Sequence, residues 1–327
     1  MKIKVLHNCG CVGCPPFEYK PGYVFTNDAA CDDYDWLVVY DELYGGTGGT
    51  IVNGRERLAC PREQTILATW EPVSIKSYSR AYTRQFGHLL TNRPPEAERH
   101  PRYHLGRGYF EWFNDRSYEE NATVVLPPKT RTISAVCSSK QMRRTKHFAR
   151  FSLVSELAKA IPEMEWYGHG VRAFGKKYEV MDPFKYHVAV ENHIAPHHWT
   201  EKLSDAFLCE CLPFYAGDPA IFEVFPEESL VPIPIDDPAE AVRIVKSAIA
   251  EDVYAKRRDA VLEAKRLILS KYNFWAQVID VIESAAEGVR PAPSVPEFVV
   301  NRKVLRRSNL SAALDEGWFH LRQYLHL

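Results

Sequence analysis

From Arg131 onward the sequence alternates short apolar runs with stretches of helical period, and few folds accept that order. "RTISAVCSS" reads as a strand. In "KQMRRTKHFARFSLVSELAKAI", the residues Phe148, Phe151, Val154, Leu157, Ala158 and Ile161 recur at helical spacing. "MEWYGHG" and "PFKYHVAVEN" are strands, "TEKLSDAFLCE" is a helix, "LPFYAG" a strand and "DPAIFEVF" a short helix. Such β-α repetition predicts a doubly wound parallel sheet, and sheets of that kind take ligands beyond the C-terminal ends of their strands. Helical stretches over 238–250 and 252–270 and in "YNFWAQVIDVIESAA" follow. "GVRPAPSVPE" is a linker, and the tail ends in an amphipathic helix that packs back on the first domain or mediates oligomerisation.

The first third predicts a second, less regular α/β unit. "DWLVVY", "TILATW" and "GHLLTN" are buried parallel strands, and "SIKSYSRAYTRQF" carries a weak helical pattern. Two glycine-rich stretches invite a nucleotide-loop reading and fail it. "YGGTGGT" lacks the dinucleotide spacing and a following helix. "GVRAFGKK" has Lys177 where a phosphate-binding loop needs Ser or Thr for magnesium, and no helical pattern follows. With 327 residues, two domains are expected. The bounds drawn from the sequence are 1–128, 129–290 and a linker and tail over 291–327.

Composition narrows the function classes. Lys and Arg number 41 against 42 Asp and Glu, so there is no basic excess for bulk nucleic-acid binding, and an anionic ligand must meet a local cluster of cations. No apolar run approaches the roughly 18 residues of a membrane span. The N-terminus reads as a strand, Ile3–Leu6, rather than a signal peptide. A cytoplasmic protein is expected, with peripheral membrane association left open and the oligomeric state unassigned. Eight cysteines in a chain of this length are expected to be reduced thiols. Cys9, Cys11 and Cys14 lack an evident fourth ligand and read as a loop after the first strand, so no metal is expected there.

The decisive stretch is "AVENHIAPHHWTEKLSDAF". A metal reading starts from His193 and His197, four residues apart, but Pro196 between them breaks the helix that would bring both to one face. Read instead as strand, loop and helix, it has Thr200 as the N-cap and Leu203, Ala206, Phe207 and Cys211 as the buried face. Lys202 then falls in the first helical turn, where the macrodipole disfavours a cation. A diphosphate bound at that N-terminus compensates it.

The segment "YHVAVENHIAPHHWTEKLSDAFLCECLPFYAG" resembles the donor-binding motif of the α-1,3-fucosyltransferases, glycosyltransferase family 10. That family has an aromatic-rich strand ending in Glu-Asn, a loop, Thr-Glu-Lys, a helix, and a strand with Pro and Gly. "EWYGHG" fits its strand-then-Tyr-Gly segment, and Arg150 in "ARFSLVSEL" fits an arginine opening a helix. The resemblance is good over residues 131–235, weak over the first third and absent from the tail. It implies a GT-B architecture, two Rossmann-like α/β domains facing a cleft, with residues 1–128 on the acceptor side and 129–290 holding the donor. It implies inverting transfer of fucose from GDP-fucose to a hydroxyl of a glycan acceptor, with no cofactor. Lys202 and Arg150 would neutralise the diphosphate, Glu201 would bind the ribose hydroxyls, and Asn192 matches the family's donor-site asparagine. Where the family often has tyrosine, this sequence has His198, whose imidazole can donate a hydrogen bond.

The family's base is a glutamate at the end of an N-domain strand, and "TILATWEP" puts Glu71 there. Inverting displacement needs one base on the acceptor side and cations on the leaving diphosphate, which Arg and Lys supply without a metal. Two other readings remain open: a metal-dependent hydrolase built on His193, His197 and His198, and a non-catalytic nucleotide-binding protein.

Overall fold

A computed structural model of the chain describes residues 1–7, 17–108, 112–140, 146–285 and 295–325. Cys9, Cys11 and Cys14 lie outside the described residues. The elements in chain order are β1 (Lys2–His7), β2 (Phe17–Lys20), β3 (Tyr23–Thr26), β4 (Trp36–Tyr40), β5 (Ile51–Val52), β6 (Arg55–Arg57), β7 (Thr65–Thr69), α1 (Arg80–Thr83), β8 (His88–Thr91) and β9 (Tyr103–Leu105). There follow α2 (Tyr118–Thr123), β10 (Arg131–Val136), α3 (His147–Ala160), β11 (Met164–Tyr167), β12 (Phe184–Val190), α4 (Glu201–Leu208), β13 (Leu212–Ala216) and β14 (Val231–Pro232). The chain ends with α5 (Pro238–Ala250), α6 (Val253–Ser270), α7 (Phe274–Ala285), β15 (Phe298–Val300), α8 (Arg302–Ser308) and α9 (Leu310–Leu325).

The chain divides into two compact units, Met1–Gly106 with Trp275–Leu327, and Arg107–Phe274. These bounds differ from those drawn from the sequence at both ends. Residues 107–128 belong to the second unit because their polar groups are satisfied there. The Phe113 N–H donates to Asp205 Oδ1 at 2.8 Å, and Arg116 holds Asp182 through two hydrogen bonds, one of them 3.0 Å. The tail belongs to the first unit. Ala312 of α9 is buried, and the Arg80 N–H at the start of α1 donates to Asp315 at 3.2 Å.

The first unit is built on a sheet ordered β2-β3-β1-β4-β7-β8-β9, parallel throughout except for the β2–β3 pair. β4 and β7 are buried at every position, as continuous apolar strands covered on both faces must be. Between them the chain makes not a helix but the hairpin β5–β6, which β15 from the tail extends into a small antiparallel sheet, β15-β6-β5. Lys4 of β1 and Glu56 of β6, both fully buried, form an ion pair of 2.9 Å. Lys4 Nζ also donates to Cys31 O at 2.7 Å and Thr50 Oγ1 at 2.6 Å. The helical pattern at Ser74–Phe86 narrows to α1, whose N-cap is Ser79.

The second unit carries a five-stranded parallel sheet, β11-β10-β12-β13-β14. Its core joins α3, α4, α5 and α6 to the strands. α3 buries Val154 and Leu157, with Ile161 just past its end, as the apolar spacing suggested, but it also buries Arg150 and Leu153 and leaves Phe148 exposed. α4 buries Leu203, Ala206 and Phe207 as expected, and Ser204 and Asp205 with them. No described helix is long and apolar enough to cross a membrane.

Candidate functional site

β12 hands the chain to α4 through a ten-residue connection closed by one side chain. Glu191, fully buried just past the strand, accepts from the Thr200 N–H at 2.8 Å and from Thr200 Oγ1 at 2.7 Å. Thr200 thereby caps α4 in a fixed position, and Lys202 follows in the first turn as the sequence predicted. Lys202 Nζ donates to Glu201 Oε1 at 2.8 Å and Thr200 Oγ1 at 3.0 Å, and lies 3.6 Å from Glu191 Oε2. Burial pushes the ammonium pKa down, but Glu191 and Glu201 outweigh it and hold Lys202 above its ordinary value. Burial also pushes Glu191 up, whereas against the same burial the adjacent ammonium holds Glu201 below the usual carboxylate range.

Arg150 is the fourth residue of α3, near the helix's N-terminal end, and its N–H already donates to Lys146 O at 2.8 Å. It is only 7 % exposed, its Nε has no hydrogen-bond partner, and among the described residues no carboxylate pairs with it. Arg150, Lys177 and Lys202 line one pocket past the ends of β10 and β12, together with Cys137, His187 and Val190. Lys177 is held there by Asp205 of α4, 2.5 Å away. Burial, only partly offset by Lys177, raises the Asp205 pKa to about 6. A buried guanidinium without a counter-ion is expensive, and the pocket brings it together with two further cations, Lys177 and Lys202, each of which already has a carboxylate partner.

The other predicted residues fall around the same loop. Asn192 accepts from the Lys146 N–H through its carbonyl at 3.2 Å, which ties the loop to the start of α3, and its buried Oδ1 has no partner. His198 is buried, its ring meeting His193 edge-on at 5.2 Å between centroids. His197 has a positive φ of 63°, and its Nδ1 lies 2.7 Å from Arg107 NH1. A guanidinium can only donate, so that nitrogen is occupied as an acceptor. Among the described residues, no group of three or more His, Cys, Asp or Glu side chains is placed to hold a metal ion.

Glu71 belongs to the first unit, and Arg150, Asn192, His198, Glu201 and Lys202 belong to the second. Glu71 follows β7, with Arg93 Nε donating to its carbonyl at 2.7 Å. Burial first and the Asp41 carboxylate second push its pKa up, against Lys76 and Arg93. Asp41, just past β4, has a positive φ of 66°, pairs with Lys76 at 2.5 Å and accepts from the Tyr78 hydroxyl. The sequence reading gave no role to Asp41, Lys177 or Asp205, and none to Glu191 beyond its place in the Glu-Asn of the motif.

His187 of β12 supplies a separate test of the second unit. It is buried with Nδ1 2.8 Å from Ser134 Oγ, and burial, aided by the Lys177 charge, lowers its pKa to about 3. In the unfolded chain an imidazole titrates near 6.5, so the unfolded state takes up the proton first. Stability present above about pH 6.5 is therefore lost as pH falls towards 3, by an amount on the order of 5 kcal/mol. Urea denaturation at a series of pH values should show this loss in the wild type and a flatter profile in His187→Gln. Parallel profiles would refute the neutral buried histidine.

No family model and no curated protein sequence matches the chain. In three dimensions it is similar to an alpha1,3-fucosyltransferase crystallised with GDP-fucose, with a TM-score of 0.51 and 13% identity over 90% of this chain and 92% of that one. It is also similar to the trehalose-6-phosphate synthase OtsA, with a TM-score of 0.50 and 10% identity over 82% and 74% of the respective chains. The chain has the GT-B glycosyltransferase fold. At these identities the likeness is one of fold, and the site has to argue for its own chemistry.

Proposed function

We propose that the chain is a glycosyltransferase that takes a GDP-linked sugar, with fucose the first candidate, and transfers it with inversion to a hydroxyl of a carbohydrate acceptor, without a divalent metal. The observation that carries this reading is Arg150. It is a buried cation with an unbonded Nε and no carboxylate partner among the described residues, and it lines one pocket with Lys202 and Lys177. The motif around Glu191–Lys202 and the GT-B fold agree with it.

In this mechanism Glu71 takes the proton from the acceptor hydroxyl as its oxygen attacks the anomeric carbon. The bond from that carbon to the phosphate oxygen breaks, and GDP leaves with its charge met by Arg150 and Lys202. Glu201 accepts from the ribose hydroxyls, and Asn192 and His198 contact the donor. No covalent sugar–enzyme intermediate is needed, which gives inversion.

The direct test is thermal unfolding with added nucleotide. GDP at about a hundredfold over its Kd should stabilise the protein by about 2.7 kcal/mol, with or without EDTA. Arg150→Ala should abolish the shift. A wild type indifferent to GDP and to every GDP-sugar tried would refute the reading.

A further inference from the structure

We propose that Asp218 forms, with Asn192, an acceptor-rich subsite that receives the hydroxyl groups of the sugar carried on the diphosphate. This rests on the nucleotide-sugar reading above and adds to it a residue at the end of the next strand.

β12 and β13 are parallel neighbours whose last paired residues are Val190 and Ala216, and the Glu191 N–H adds one more bond to Ala216 O at 2.9 Å. Asn192 and Asp218 therefore leave the sheet at its C-terminal edge from adjacent strands, where open α/β sheets bind ligands. Gly217 permits the turn. A Cβ there would lie 2.1 Å from Tyr215 Oη and 2.7 Å from Glu191 Cγ. With no side chain in the way, the Asp218 N–H reaches Tyr215 Oη at 2.9 Å, and the Asp218 side chain is drawn inward until 3 % of the residue is exposed.

The buried carboxylate is only half satisfied. Oδ1 accepts from the Ala220 N–H at 2.7 Å, and Oδ2 is buried with no hydrogen-bond partner. Burial pushes its pKa up, and the backbone N–H groups of Ala220 and His197, with the Arg107 charge, offset that only in part. Asn192 Oδ1 is a second buried oxygen without a donor. Leaving such groups unmade costs free energy, and folded proteins carry few of them.

The polarity of the unmet groups says what fits. Arg150 Nε is a donor and calls for an anion. Asn192 Oδ1 and Asp218 Oδ2 are acceptors, which repel phosphate and call for O–H groups. A nucleotide sugar presents both chemistries side by side, a diphosphate bonded directly to a polyol ring. Base or ribose donors could also satisfy an acceptor, and the two sources separate on removal of the sugar.

The test is calorimetric titration of the wild type and Asp218→Ala with GDP and with the GDP-sugar that the wild type binds best, chosen from GDP-fucose and GDP-mannose. The variant should hold GDP within about threefold of the wild type and lose at least about tenfold in affinity for the GDP-sugar. Equal losses for both ligands, or no loss for either, overturn the subsite. If Asp218→Ala does not fold, Asp218→Asn gives the same comparison, since it turns the unmet acceptor into a donor. A wild type that binds neither GDP nor a GDP-sugar sinks the nucleotide-sugar reading itself and this subsite with it, whereas failure confined to the variant sinks the subsite alone.

Discussion

Lys202→Ala should lose GDP almost completely, with a rise in Kd of roughly 30-fold to several thousandfold. That range is what removing one partner of a buried, hydrogen-bonded charge pair costs, about 2–5 kcal/mol. Lys202 is 17 % exposed and touches Glu201, Thr200 and Glu191 in the free protein, so its charge is already in place before a ligand arrives. The same substitution strands Glu191, whose side chain is fully buried, without a counter-ion. The free variant should therefore also be destabilised, by about 3–5 kcal/mol. The two effects separate through Lys202→Ala/Glu191→Gln, which removes the stranded charge, recovers stability and leaves GDP binding lost. Titration of both variants with GDP decides the point. Binding within about threefold of the wild type in the folded double variant would remove Lys202 from the donor site.

What the sequence made legible follows from what leaves a local trace. The central strands β4, β7, β12 and β13 are mainly apolar runs, and they lie where the sequence shows such runs. Lys202 stood out because a cation in a first helical turn breaks a local rule, and its two carboxylate partners are close in sequence. Lys177 left no such trace. Its partner Asp205 is 28 residues away, and only the fold joins them. The available signal was on the other side of the pair, since Asp205 sits between Leu203 and Ala206 on a buried helix face, and a buried carboxylate needs a cation from somewhere. Asp41 was invisible for a different reason. Its φ of 66° is a property of the backbone that an aspartate adopts without a local marker. The unit boundary was misplaced because chain order suggests that residues 107–128 go with what precedes them. Their hydrogen bonds are made to Asp182 and Asp205, 66 and 92 residues along the chain.

Glu71→Gln should keep GDP affinity and lose turnover by a factor on the order of 10²–10⁴, the usual worth of a positioned general base. Glutamine preserves the shape and the carbonyl contact to Arg93, so a loss of rate cannot be charged to the backbone of β7. The pH profile carries the stronger test. A base works only when ionised, and burial with the Asp41 carboxylate raises the Glu71 pKa. The acid limb of kcat/KM should therefore have its midpoint above the roughly 4.3 of an ordinary glutamate. Asp41→Asn removes the like charge, lowers that pKa and should move the limb to lower pH, so that activity persists in more acidic buffer. Unchanged turnover in Glu71→Gln would exclude it as the base. A limb that stays put in Asp41→Asn would exclude the coupling between two carboxylates carried by adjacent strands of the first sheet, and would leave burial alone to set the pH at which Glu71 can accept a proton.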